Sequence, residues 1–495
     1  MNKSKTKTTM MARVLMLGLL VLLPTMAGAQ RILTLDSCRA MALRNNKQMG
    51  VAKMKQEVNA NLRKSARTQY LPKINALGGY MWMSREISIL NDDQKEALGN
   101  MGTNTAAKLQ DALAPLTSAL PAATQQKMAG DMAAFAGALD QLGAGIVDGF
   151  RTDTRNMMAG AVTVTQPVFM GGALVAANKM ADINEEMAAN SLEMKRQGTI
   201  YNIDQAYWQV VSLRHKQTLA ESYVALVKKL KDDVQKMIDQ GVATKGDGLS
   251  VGVRVNEAEM ALTQVQDGLA LSKMLLCQLI GLDEETEITL ADEESADLQG
   301  NQNTLSTPSN LNYDNRPELK VLQNTVDLSR QTTNALKAGN LPTVLLTGGY
   351  MVSNPNTFNG FEKKFGGVWN VGVVVRVPVW NWGDVKYKVR ASKGATAMAN
   401  LELDDAREMI SLQVRQSNFK VKEAQKKLTM AQSNVANADE NLRMANLAFK
   451  EGTASYTTVM EAQTAWNQAQ SQKIDAEIGV KLSEVELQKA LGTLQ

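Results

Sequence analysis

The chain has 495 residues, of which 44% are hydrophobic and 21% are charged, with a single histidine and two cysteines. This composition is that of a folded protein and excludes a disordered or collagen-like chain. His215, Cys38 and Cys277 are too few and too widely spaced in sequence for a zinc-ligand set, a CxxC motif or a Ser-His-Asp triad. We therefore predict a non-enzyme with no catalytic residue, no metal site and no cofactor.

Residues 1–29 have the pattern of a secretory signal peptide. Four basic residues precede an apolar run over Val14–Leu23, and Ala27 and Ala29 stand at the −3 and −1 positions of a cleavage site. The run is shorter than the ~20 residues of a membrane-spanning helix, so an N-terminal anchor is the weaker alternative. These residues hold four of the 54 basic residues and none of the 50 acidic ones, which leaves a neutral chain. A neutral chain does not support a nucleic-acid partner.

The rest of the chain contains an internal repeat. The motif Leu-Pro followed by Gly-Gly-Tyr-Met occurs over Leu71–Met81 and again over Leu341–Met351. Four further positions recur at one constant offset, namely Pro167, Gly172, Gly241 and Gly281 as Pro378, Gly383, Gly452 and Gly492. The sequence therefore predicts a first structural repeat over 30–281, an acidic linker over 282–312 and a second repeat over 313–495.

Each repeat is predicted to run helix, strand, loop, strand, very long helix, tight turn, helix. The predicted strands are Ile74–Met83, Gly160–Phe169, Thr343–Val352 and Asn370–Trp380. In the last of these, valines alternate with other residues, and tryptophans stand at both ends. This pattern is typical of a lipid-facing strand with aromatic residues at its ends, although a half-buried strand of a soluble protein also alternates.

The first repeat contains extra residues over about 85–157, rich in Ala, Met and Gln and without alternation. Their place after the first strand predicts a loop outside the cell. We expect short helices there that cap or narrow a channel mouth, with a disordered loop as the equal alternative. The methionines are scattered along predicted helices, which favours a packing role over a copper site.

Two proline-free segments, Gly172–Gln240 and Gly383–Glu451, predict helices of about 100 Å at 1.5 Å per residue. Helices over Ser37–Tyr70 and Gly246–Ile280 are about half as long, so two stacked end to end match one long helix. Apolar residues between 421 and 449 recur in steps of three and four, which predicts coiled-coil packing. A rigid two-helix stalk would show the same spacing.

Four strands cannot close a barrel, and unpaired strand edges cannot face lipid, so other copies must complete the sheet. The predicted fold class is α+β. It comprises a membrane-spanning 12-stranded β-barrel formed by a trimer, with four strands per chain, continuous with a long periplasmic α-helical coiled-coil barrel.

With these features the sequence resembles the TolC-like outer membrane efflux protein family. The segment Leu33–Leu43, the motif Tyr70-Leu71-Pro72 and the two glycine turns resemble repeated signatures of that family. The resemblance implies a homotrimeric channel in outer-membrane lipid that extends into the periplasm. It also implies an inner-membrane pump that delivers drugs and other small toxic compounds through a periplasmic adaptor protein. Gly246 and Gly248 depart from the pattern and are expected to loosen the first turn, and the N-terminal lipid-anchor cysteine of many relatives is absent.

By the same resemblance, the two turns dock against helical hairpins of the adaptor. The docking residues are Gly241, Val242, Ala243, Thr244, Gly452, Thr453, Ala454 and Ser455. Alternatively, the glycines serve only as helix C-caps. Charges near the turns are candidates for a periplasmic gate, because threefold symmetry would repeat each as a ring, although a solvated helix face is the simpler interpretation. These candidates are Asp239, Lys245, Asp247, Glu451 and Glu461.

Two other functions fit parts of the pattern. An exit duct for protein or polysaccharide secretion would share the whole fold. A secreted coiled-coil scaffold without transport would explain the apolar repeats of the helices but not the four strands.

Overall fold

The computed structural model of the protein describes residues 32–86, 88–117, 121–151, 153–295, 313–360 and 362–494. The predicted signal peptide and the predicted linker beyond residue 295 lie outside these ranges. None of the helices in the described ranges combines the length and the apolar character that a membrane crossing requires.

Helices make up most of the described chain. They are α1 Leu35–Asn45, α2 Lys47–Arg67, α3 Asp92–Gly99, α4 Met101–Thr117, α5 Ala122–Gly149, α6 Ala173–Asp239, α7 Lys245–Ile280, α8 Pro317–Lys337, α9 Asp384–Lys450 and α10 Tyr456–Leu491. The long helices α6 and α9 have 67 residues each and fill the two proline-free segments. Two left-handed glycines, Gly281 and Gly492, end α7 and α10.

The single helix predicted over Ser37–Tyr70 is wrong, because the helix is interrupted at Asn46. The backbone of Asn46 is extended, and its side-chain oxygen accepts hydrogen bonds from the N–H groups of Gln48 (2.9 Å) and Met49 (3.4 Å). Its amide group donates to the carbonyl oxygen of Leu279 (3.2 Å). Asn46 therefore ends α1, caps α2 and ties the break to α7.

Six strands occur in the described ranges. They are β1 Ile32–Leu33, β2 Lys73–Trp82, β3 Asn156–Met170, β4 Thr289–Leu290, β5 Thr343–Asn354 and β6 Gly366–Arg376. Strands β3 and β6 begin four residues earlier than predicted, and β6 does not continue to Trp380. Strand β6 ends at Arg376 because its partner β5 begins at Thr343, the residue that pairs with Arg376.

The chain divides into two compact units. One unit comprises residues 64–178 and 333–389 and contains an antiparallel sheet in the order β2-β3-β5-β6. Every residue of the edge strand β2 is exposed, as is every residue of β6 except Gly366. Neither edge pairs with another strand of the described chain.

The same unit contains the inserted residues, which form α3, α4 and α5 with 8, 17 and 28 residues. The expectation of helices there holds for the described residues, but α5 is not short. Its length is compatible with the composition, because alanine, methionine and glutamine favour helix.

The other unit comprises residues 1–63, 179–332 and 390–495 and contains most of the long helices. Strands β1 and β4 pair in parallel and contribute Leu33 and Leu290 to a core that includes Tyr207, Leu276 and Ile280, all three fully buried. Inside this unit Arg39 donates hydrogen bonds of 2.7 and 2.6 Å to the two carboxylate oxygens of Asp204. The Asp204 side chain is 0% exposed, so the ion pair is an internal one.

Candidate functional site

The turn between α6 and α7 is a compact helix end. Gly241 takes the left-handed conformation with φ of 76°, and its N–H donates to the carbonyl oxygen of Ile238 (2.9 Å). The N–H groups of Val242 (2.8 Å) and Ala243 (3.2 Å) both donate to Met237. These bonds satisfy carbonyl groups that the end of α6 leaves without helical partners.

The turn between α9 and α10 repeats this geometry. Gly452 has φ of 71° and donates to Phe449 (3.1 Å), while Thr453 (2.9 Å) and Ala454 (3.2 Å) both donate to Ala448. The bonds thus agree pair by pair between the two turns. The sequence offset between the recurring glycines therefore corresponds to a repeated three-dimensional structure.

The helix starts that follow the two turns differ. Thr244 caps α7: its hydroxyl accepts from the N–H of Asp247 (3.3 Å), and the Asp247 carboxylate accepts from the N–H of Thr244 (2.8 Å). Ser455 makes no such cap, and its hydroxyl contacts Thr458 (3.4 Å) instead. The first turn is therefore the more firmly capped of the two.

The expected loosening of the first turn by Gly246 and Gly248 is wrong. Helix α7 begins at Lys245, before both glycines, because the Thr244 cap satisfies its first N–H groups. A Cβ at Gly248 would lie 2.8 Å from the side chain of Ile238. Gly248 therefore allows α6 and α7 to approach closely beside the turn.

Asp247 also links the first turn to the second. The hydroxyl of Tyr456, the first residue of α10, lies beside the Asp247 carboxylate and interacts with it. The backbone N–H of Thr244, the Thr244 hydroxyl and then the Tyr456 hydroxyl hold the pKa of Asp247 below its usual value. The same contact raises the pKa of Tyr456. One carboxylate is thus shared by the two hairpins.

An apolar cluster holds the two hairpins together behind the turns. It contains Leu230 and Val234 of α6, Val251 of α7, Leu442 of α9 and Val459 of α10. Val251 and Val459 are 0% exposed. We call this cluster the tip core, and it fixes the position of one turn relative to the other.

The predicted docking residues lie at the surface around the tip core. Val242 is 69% exposed, and the other seven are exposed or half-buried. Leu249, near the first turn, is 74% exposed. The tips therefore present small residues and two uncovered apolar side chains.

The five candidate gate charges differ in their contacts. Asp247 connects the two turns, whereas Asp239 accepts a hydrogen bond from Gln235 of its own helix (2.9 Å) and has no other side-chain partner among the residues that the structure describes. Lys245, Glu451 and Glu461 are exposed and make no side-chain hydrogen bond or ion pair within the described ranges. Asp247 is thus the one candidate with a contact between the hairpins, and sequence analysis missed its partner, Tyr456.

The two faces of the sheet differ in polarity: one is mainly apolar, and the other, called the polar face, carries the polar rows together with one apolar row, Leu77, Ala161, Met351 and Val368. The strand register separates them, since neighbouring rows of paired residues point to opposite sides. One row on the apolar face is Ile74, Val164, Gly348 and Val371. The next row, on the polar face, is Asn75, Thr163, Gly349 and Asn370. A sheet of this kind can separate an apolar medium from water.

No group of three or more His, Cys, Asp or Glu side chains in the described ranges is arranged to hold a metal ion. Cys38 and Cys277 are both buried thiols, and burial raises the pKa of Cys38 to about 11. A thiol with so high a pKa is a poor nucleophile and a poor metal ligand.

Comparison with known proteins identifies the family. A model of the family described as outer membrane efflux protein matches residues 39–282 and 310–493. The outer membrane protein TolC of Vibrio cholerae is 21% identical over 351 residues, which cover 68% of this chain and 77% of TolC. The proteases secretion protein PrtF of Dickeya chrysanthemi is 23% identical over 300 residues, 58% of this chain and 65% of PrtF.

The fold matches solved outer-membrane channels. The structure of the Campylobacter jejuni CmeC outer membrane channel superposes with a TM-score of 0.69 at 13% identity, covering 93% of this chain and 86% of CmeC. This likeness confirms the predicted fold class, and the family match confirms the outer-membrane location and the TolC-like resemblance. The chain belongs to the outer membrane efflux protein family.

Proposed function

We propose that three copies of the chain form a channel that exports small molecules across the outer membrane. The observation that carries this proposal is the four-stranded sheet with two unpaired edges, one apolar face and one polar face. Unpaired edges cannot face lipid, so β2 of one copy pairs with β6 of the next. Three copies then give a 12-stranded barrel with the polar face inward and the apolar face in outer-membrane lipid.

The two turns are the proposed docking surface for a periplasmic adaptor. Their identical hydrogen-bond geometry would offer an adaptor six similar tips in a trimer. Exposed Val242, with small residues around it, suits close packing against an apolar helix surface. An inner-membrane pump would supply both the cargo and the energy, and the channel itself has no enzymatic activity.

The proposed gate centres on Asp247 and Tyr456. Their contact ties the α6–α7 hairpin to the α9–α10 hairpin at the tips, so widening the entrance between the hairpins requires breaking it. Asp239, Lys245, Glu451 and Glu461 add charge around the same entrance. They would influence which ions pass rather than whether the entrance opens.

A second candidate function is protein secretion, which the similarity to PrtF favours. Both functions use the same channel and differ in the cargo that the inner-membrane partner delivers. A water-soluble scaffold is disfavoured, because it would leave the apolar face of the sheet exposed to water.

Deletion of the gene tests the cargo. We expect a deletion strain to become more sensitive to dyes, detergents and antibiotics, and the intact gene to restore resistance. Two variants supplied on a plasmid form a matched pair. Val242→Asp alters a docking tip, and Gln126→Asp places the same charge in the inserted helix α5. Only the first should fail to restore resistance. Unchanged sensitivity together with the loss of a secreted protein would replace the small-molecule proposal by the secretion function.

A further inference from the structure

The inserted helices α3, α4 and α5 have almost no core of their own. Among their described residues only Gly102, Ala136 and Gly143 are buried. A Cβ at Gly102 would lie 1.9 Å from the carbonyl oxygen of Ala136, and one at Gly143 would lie 1.8 Å from that of Leu98. The three helices therefore touch through their backbones at small residues, with the side chain of Leu139 beside the contact at Gly102.

Helix α5 carries a stripe of apolar residues that is exposed at the surface. Phe135, Ala138, Leu142 and Ile146 follow one another in steps of three, four and four and share about 80° of the helix surface. Phe135 is 53% exposed, Leu142 61% and Ile146 41%. We call these four residues the α5 stripe. Contiguous exposed apolar surface is typical of interaction sites.

The helices hold the stripe in a fixed position. Asp140 of α5 accepts hydrogen bonds from the N–H groups of Gly102 (2.6 Å) and Thr103 (3.1 Å) at the start of α4. At the base of the insertion, Arg151 pairs with Glu86 at 3.2 Å. The stripe is therefore presented by a braced helical pair rather than by a loose loop.

The charge of α5 argues against lipid as the partner. Helices that lie on a membrane surface are rich in Lys and Arg along their polar face. Helix α5 carries one lysine, Lys127, against three aspartates, Asp131, Asp140 and Asp148. The spacing in steps of three and four is instead that of helices that pack on one another.

The insertion leaves the sheet at the edge that must meet another copy. It connects β2 to β3, and β2 is the edge strand without a partner in the described chain. In a closed trimer, three identical stripes surround one symmetry axis. We propose that the α5 stripes of three copies pack together as a three-helix bundle that closes the outer mouth of the channel. This inference rests on the proposed trimeric channel.

Disulfide cross-linking tests the contact directly. Cys38 and Cys277 are fully buried, so a single new cysteine on α5 reports on its own surroundings. On mild oxidation of the full-length protein in outer membranes with copper phenanthroline, we expect Leu142→Cys to link two chains as a dimer. The matched control is Ala144→Cys, an exposed residue on another face of α5, which should stay unlinked.

The outcomes separate this inference from the function on which it rests. If Leu142→Cys stays unlinked while the protein runs as a trimer in detergent, the bundle is wrong and the channel proposal stands. Labelling of that cysteine by a lipid-soluble thiol reagent, without cross-linking, would assign the stripe to lipid and also overturn the bundle. If no trimer forms with any variant or with the wild type, the channel proposal fails as well.

Conductance gives an independent readout. Leu142→Asp would place three carboxylates together in the bundle, so we expect a severalfold rise in the conductance of the trimer in planar bilayers. Ala144→Asp adds the same charge away from the stripe and should leave conductance unchanged. Equal conductance in the two variants would show that the stripe does not close the mouth.

Discussion

The hydroxyl of Tyr456 lies beside the carboxylate of Asp247, and this contact joins the turns of two separate helical hairpins. Asp247 also completes the N-terminal cap of its own helix through Thr244. The residue therefore stabilises one turn and links it to the other. A variant that loses the contact with Tyr456 but keeps the helix cap with Thr244 therefore tests the gate alone.

Tyr456→Phe removes the link and leaves the Thr244 cap in place. We expect a severalfold rise in single-channel conductance, because the hairpins lose the contact between this hydroxyl and the Asp247 carboxylate at the tips. Tyr387→Phe is the matched control, since Tyr387 in α9 is 64% exposed and its hydroxyl makes no hydrogen bond in the described chain. Planar-bilayer recordings in which both variants match the wild type would rule out the link as a gate.

The link should persist over a wide pH range. The pKa of Asp247 is lowered, so its contribution is complete above the ordinary aspartate value of about 4 and is lost only as the pH falls through the lowered value. The pKa of Tyr456 is raised, so the hydroxyl keeps its proton to above about pH 10. The ratio of Tyr456→Phe to wild-type conductance should therefore be constant between these limits. A ratio that changes steadily near neutral pH would contradict this assignment.

The buried pair of Arg39 and Asp204 should matter for stability. Burial raises the pKa of the Asp204 carboxyl, and the two hydrogen bonds from Arg39 oppose that shift. Asp204→Ala would leave Arg39 without its internal partner and should lower the free energy of unfolding by about 3–5 kcal/mol. Thermal unfolding in detergent measures the loss.

Asp36 provides the matched control for this pair. It contacts the same guanidinium at 3.4 Å, but its side chain is 91% exposed. Asp36→Ala should cost less than about 1 kcal/mol, because solvent screens an exposed ion pair. If both variants lower the free energy of unfolding by similar amounts, the burial of Asp204 does not account for the stability that the pair provides.

The two faces of the sheet should respond differently to charge. Val371 and Asn370 are neighbours in the middle of β6 and point to opposite faces. Val371→Lys puts a charge on the face assigned to lipid and should cost about 2–4 kcal/mol, whereas Asn370→Lys should be tolerated on the polar face. The amount of trimer recovered from outer membranes measures both effects. A greater loss for Asn370→Lys would reverse the assignment of the faces.

Adaptor binding should depend on the tips. Val242→Asp places a charge on an exposed apolar residue and should weaken binding of the purified adaptor about tenfold, which corresponds to ~1.4 kcal/mol. Gln126→Asp in α5 should leave binding unchanged. Calorimetry on the detergent-solubilised protein gives both dissociation constants, and the docking assignment fails if they are equal.

The long helices and their turns were predictable from sequence because local chemistry determines them. The absence of proline allows α6 and α9 to continue for 67 residues, and Gly241 and Gly452 supply the left-handed conformation that ends each helix. The offset between recurring residues predicted that the two turns would share one geometry.

Features that depend on distant partners were missed. The end of β6 is set by where β5 begins, which β6 itself does not encode. The break at Asn46 depends on a contact with α7, and the link of Tyr456 to Asp247 depends on the packing of two hairpins around the tip core. Local periodicity carries no information about such contacts.

The mass of the native protein extracted from outer membranes in detergent decides whether three copies form the channel. We expect a particle of three chains that needs detergent to stay in solution, because the two unpaired strand edges of each copy pair with its neighbours. A monomer that is soluble without detergent would contradict the trimeric channel.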